Sequence, residues 1–120
     1  MFVQNAQALG ALLIGGVFIL AGIEHFVKFK AMRGYLAAQQ FPAPSFMLAA
    51  GSALEIVAGL MLVLGLAVPF AAGALVVFTL AANFMLLRFW ASEEPERQVL
   101  RNAFLINVAV IGGLLLAATA

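Results

Sequence analysis

The chain has 120 residues, 66% of them hydrophobic and 9% charged, with a formal net charge of +1 and a mean hydropathy of +1.15. A soluble domain carries about 25% charged residues, so this composition excludes a fold that meets water on all sides, and the balanced charge without a basic patch excludes a nucleic-acid partner. The lack of cysteine removes disulfide relays, thiolate metal sites, iron–sulfur ligation and a cysteine nucleophile.

In lipid the backbone must satisfy its own hydrogen bonds, which leaves helices as the economical way to cross. At ~20 residues per crossing, 120 residues hold four spans and short connections. The expected fold is an all-α integral membrane four-helix bundle, one domain over residues 1–120.

The first span is predicted at about 8–29. Residues 1–27 contain no Lys or Arg, so the basic segment of a secretion signal is missing and the stretch reads as a retained span. Glu24 and Lys28, four apart in its last turns, are spaced for a surface ion pair. Residues 30–40 carry Lys30, Arg33, Tyr35, Gln39 and Gln40 among apolar residues. They predict a short amphipathic helix in the interface, with an irregular loop as the alternative. The second span, about 46–66, follows Pro42 and Pro44, with Ser45 placed to cap it. Gly65 and Pro69 then mark a tight hairpin into the third span, about 69–90. The fourth runs over about 100–118; its helix has an earlier alternative start at Ser92, with Glu93 and Glu94 in the first turn and Glu93 spaced to pair with Arg97.

All six basic residues (Lys28, Lys30, Arg33, Arg88, Arg97, Arg101) flank or occupy the connections between spans one and two and between three and four. The positive-inside rule puts loops 30–45 and 91–99 in the cytoplasm and both termini outside.

Ionisable groups cost about 2.5–3.5 kcal/mol at a helix centre in lipid, so those present face protein or water. Glu24, His25 and Lys28 close span one. Glu55 stands ten residues after Ser45, ~15 Å along a helix that rises 1.5 Å per residue. Asn83 and Arg88 lie in the corresponding half of span three, Asn102 and Asn107 in that of span four. Nine of the thirteen aromatics, Trp90 among them, gather at the same end. These residues predict a polar pocket with aromatic walls. Glu24, His25, Glu55, Asn83, Arg88, Trp90, Asn102 and Asn107 are its candidate ligand-binding residues, and Glu55 and His25 are its candidate proton-exchange pair. The competing reading is an aromatic belt plus polar helix glue. Gly51, Glu55 and Gly59 are four apart on one helical face, so the two glycines are candidates for close helix packing that aims the carboxyl at a neighbour. His25 and Arg88 are the candidate cations for a carboxyl so placed, with a structural hydrogen bond to Asn83 or Asn107 as the alternative. One histidine with Glu24 and Glu55 lacks the ligand spacing of a metal site, so no metal is expected.

Three of these features together resemble the DoxX family of small four-span bacterial membrane proteins: Ala21-Gly22-Ile23-Glu24-His25-Phe26 at the end of span one, Tyr35 with the Phe41-Pro42 turn, and Gly51-x-x-x-Glu55-x-x-x-Gly59 followed by Leu64-Gly65-Leu66. The family's basic residue early in span one is replaced here by the amides of Gln4, Asn5 and Gln7. The resemblance implies a four-helix, multi-pass fold in the bacterial cytoplasmic (inner) membrane, associated with membrane oxidoreductase systems, sometimes near the quinone pool. No intrinsic cofactor is expected, and a quinone or other lipid-soluble ligand is the implied small molecule. The implied partners are membrane lipid and other membrane subunits or further copies of the chain. Two further functions fit the residues: a structural or assembly subunit of a larger membrane complex, and a small proton-coupled transporter.

Overall fold

The computed structural model describes residues 2–120. Five α-helices follow one another: α1 (Phe2–Val27), α2 (Phe29–Ala38), α3 (Pro44–Leu64), α4 (Val68–Leu86) and α5 (Glu96–Ala118), with a single 3-10 turn at Phe89–Ala91. Among the described residues there is no strand. Four segments are long and apolar enough to cross a membrane: Val3–Val27, Pro44–Leu64, Val68–Ala91 and Glu96–Ala118. The molecule is 49 Å long, enough for a hydrocarbon core of about 30 Å and the headgroup layers beside it. The chain is an all-α multi-pass membrane bundle.

The ends of these helices follow local chemistry. Pro44 occupies the first turn of α3 behind Ala43, whose φ is +48°; a proline there loses only an N–H that a helix leaves unpaired anyway. Ser45 is therefore inside the helix, and the cap expected of it is not made. Gly65, at φ +71°, closes α3 in the left-handed conformation that glycine adopts without steric cost. The stretch from Phe29 to Ala38 is helical, as the amphipathic pattern predicts: Leu36 is buried against the bundle while Lys30 and Arg33 are exposed. At the other connection α5 starts only at Glu96, after Pro95. Ser92 is extended, and its hydroxyl donates to the Arg88 carbonyl at 3.1 Å instead of capping α5. The surface pairs expected at Glu24–Lys28 and Glu93–Arg97 do not form; among the described residues the one ion pair is His25–Glu55. Exposed charges gain little from pairing over staying solvated.

The most extensive packing is α1 against α3, then α4 against α5; α3 joins the two pairs through α4, and α1 touches α5 more lightly. The core is Phe18, Ala58, Leu62, Ala71, Ala72, Leu75 and Leu114. Its alanines let backbones come close, which in lipid replaces the hydrophobic drive as the source of helix association. A Cβ built on Gly15 would sit 2.6 Å from the Gly59 carbonyl oxygen, and one on Gly22 would sit 2.7 Å from that of Ser52. Residue 15 thus lies level with 59 and residue 22 with 52, the decreasing register of two antiparallel helices.

Candidate functional site

That register explains how the two central ionisable groups meet. Residue 25 is level with residue 49, six residues from Glu55, or about 9 Å along the axis at 1.5 Å per residue. Side chains on a helix lean toward its N-terminus. Because α1 and α3 run opposite ways, His25 leans deeper into the membrane while Glu55 leans back toward the loops. Nδ1 of His25 comes 2.8 Å from Oε1 of Glu55. The alignment is not that of a hydrogen bond, so this buried oxygen keeps its acceptor capacity. One turn before Glu55 on the same face, the hydroxyl of Ser52 is buried and also unpartnered.

The pair and Ser52 form the polar end of a cavity of about 430 Å³. Its remaining wall is mostly apolar and drawn from the other four helices: Tyr35 and Leu36 of α2, Leu48 and Gly51 of α3, Phe78 and Ala82 of α4, Leu100 of α5. Gly51 does not bring a backbone close. A Cβ there would meet the Phe78 ring at 3.0 Å, so this glycine makes room for an aromatic wall of the cavity, while Gly59 alone serves α1–α3 packing. A second cleft, of about 420 Å³, lies between the end of α2 and the α4–α5 connection and is lined by Gln39, Gln40, Arg88, Ser92 and Glu96 among others.

The other predicted site residues fall elsewhere. Asn107 Nδ2 donates to Asn83 Oδ1 at 2.8 Å, and Asn83 Nδ2 donates to the Phe104 carbonyl at 3.3 Å. These two amides lock α4 to α5 and do not line the cavity. Asn102 is exposed and accepts from Gln98 at 3.3 Å. Glu24 is exposed on α1. Arg88 lines the second cleft and is not in ion-pair contact with Glu55. Trp90 joins Phe84, Phe89 and Phe104 in a cluster of mostly edge-to-face rings, with centroids 5.2–6.1 Å apart. That cluster seals α4 onto α5 where the chain turns back after Leu86; Tyr35 and Phe78 are the aromatics of the cavity.

Sequence reasoning did not single out Ser52, Gly15 or Phe78, and it named Gly22 only within the motif that ends span one. Gly15 and Gly22 are seven apart, and that heptad spacing of small residues was the available signal. Ser52 and Phe78 carried none, because only the packing brings them beside Glu55.

A family model, DoxX, matches residues 7–88. The match takes in His25, Tyr35, Ser52 and Glu55, and leaves α5 outside. No curated protein and no solved structure matches the chain. With the family model covering most of α1, all of α2 through α4 and both halves of the His25–Glu55 pair, the chain belongs to the DoxX family.

Proposed function

We propose that the chain is a subunit of a quinone-linked or similar membrane oxidoreductase system, and that its cavity takes the head of a lipid-soluble amphiphile such as a quinone. One observation carries the reading: an apolar cavity of about 430 Å³ ends on the His25–Glu55 pair and the unpartnered hydroxyl of Ser52. A flat apolar ring with two carbonyl oxygens suits such a lining. Ser52 and the imidazole are donors for an oxygen, the Phe78 ring packs on the face, and the carboxyl exchanges a proton. Reduction of a quinone takes up two electrons and two protons. The residues of this cavity bind, orient and handle protons, and a partner subunit supplies the electrons. The distribution of the basic residues supports a bacterial inner-membrane orientation with loops 30–45 and 91–99 on the cytoplasmic side and the pocket near that face.

The test is binding of a photoreactive short-chain quinone to the protein in lipid nanodiscs. The wild-type chain should crosslink in or next to α3, and both Glu55→Gln and His25→Ala should weaken binding. Crosslinking and affinity unchanged in both variants overturn the reading.

A structural subunit of a larger membrane complex is a second reading, favoured by α5. Leu114 is the one fully buried residue of that helix, which leaves most of its apolar surface for lipid or another subunit. Under that reading Glu55→Gln lowers the yield of an assembled complex and leaves ligand binding without a role.

A further inference from the structure

The cavity and the interfacial cleft are neighbours with a common wall. Tyr35, Met85, Leu86 and Leu100 line both. On one side of that wall is the His25–Glu55 pair, its carboxyl buried and its imidazole half-buried. On the other is a cleft edged by Arg88, Glu96 and Gln39 at the loop end of the bundle, where headgroups and water are. We infer that the cleft is the aqueous mouth of the cavity, and that Tyr35 and Leu100 form the partition through which water reaches Glu55 while the ligand's apolar body stays in lipid-like surroundings.

The inference rests on the proposed ligand site and adds its water side. Glu55 is only 4% exposed and sits eleven residues into α3, about 16 Å from its start at 1.5 Å per residue. A proton given up there to a ligand oxygen has to be replaced, and hydrocarbon does not carry protons. The polar cleft supplies a route in which one layer of side chains separates bulk water from the cavity. Leu100 is well suited to control it. It belongs to α5, at the end of the helix next to the α4–α5 connection, and its neighbours Val99 and Arg101 are exposed, so a small shift of this end widens or closes the passage without disturbing the α1–α3 register. Tyr35 contributes the polar atom of the partition, an O–H able both to accept and to donate a proton.

The absence of cysteine from the chain makes the test direct. A single cysteine is introduced as Ser52→Cys, or as Ala82→Cys on the opposite wall where the first does not yield folded protein. Each variant is held in lipid nanodiscs, so that both faces are accessible, and labelled with a charged, membrane-impermeant thiosulfonate and separately with an apolar maleimide. Leu80→Cys, on the exposed face of α4, is the lipid-facing control. The expected result is modification by the charged reagent at the cavity position but not at Leu80→Cys, slowed severalfold by Leu100→Trp. Labelling of the cavity cysteine by the apolar reagent alone overturns the inference, as does charged-reagent labelling that Leu100→Trp leaves unchanged. No ligand takes part in this experiment, so its failure is separate from a failure of quinone binding.

Discussion

Gly22 of α1 faces the backbone carbonyl of Ser52 in α3 so closely that a methyl group between them would stand 2.7 Å from the oxygen. This contact, repeated where Gly15 meets Gly59, sets the depth at which α1 and α3 lock. The lock decides that His25 meets Glu55 rather than passing above it. Gly22→Ala and Gly15→Ala each force the helices apart and should cost about 1–3 kcal/mol. Gly16→Ala, with open space around it, should be neutral or slightly stabilising, since alanine is the better helix former. Thermal unfolding in one detergent compares all three, and a Gly22→Ala protein as stable as the parent would remove the close approach from the account.

The His25–Glu55 pair predicts coupling. Removing one member leaves the other without its partner, so His25→Ala and Glu55→Gln should each destabilise the protein, and the double variant should cost less than their sum. The interaction energy read from a double-mutant cycle should fall at about 0.5–3 kcal/mol. Strict additivity would mean that the two side chains do not interact in the membrane.

Asn83 makes two interhelical bonds and Asn107 one of these. Interhelical hydrogen bonds in membranes average about 0.6 kcal/mol, with a maximum of about 1.7. Asn83→Leu should therefore cost more than Asn107→Leu. Replacing both should recover part of the loss, because no buried amide is then left alone. Equal losses in the two single variants would show that the Phe104 carbonyl bond carries no weight.

The turn between α3 and α4 places Gly65 at φ +71° and Ala67 at φ +46°. A residue with a Cβ is strained in that region by about 1–2 kcal/mol. Gly65→Ala should lower the unfolding temperature, and Ala67→Gly should hold or raise it despite the added freedom of the unfolded chain. A melting series on these two variants distinguishes backbone strain from side-chain packing, since a Cβ at Gly65 meets no neighbour.

The charge distribution predicts sidedness. Fluorescent-protein fusions ending after residue 38 or 94 should fold and fluoresce in the bacterial cytoplasm, whereas fusions ending after residue 66 or at the C-terminus should report translocation. The reverse pattern would move the pocket to the other face of the membrane.

Composition and spacing by themselves determined that this chain lives in lipid, crosses it four times and packs as helices. Each of those consequences depends on hydropathy summed over a segment, and such sums are properties of the sequence. The nearness of His25 and Glu55 was legible too, since both sat within one half of the bundle and a carboxyl in lipid needs company. Only the tertiary structure decided who shares the cavity. Asn83, Asn107 and Trp90 belong by their sequence positions to the same half of the bundle as Glu55, yet they face the α4–α5 seam. Ser52 and Phe78 carry no outward mark, and Gly51 is marked only for helix packing, yet all three line the cavity beside the carboxyl. Depth follows from position along a helix, but azimuth follows from how helices rotate against one another. That rotation is set by contacts such as Gly22 on the Ser52 carbonyl, where a single methyl group's space separates one arrangement from the next.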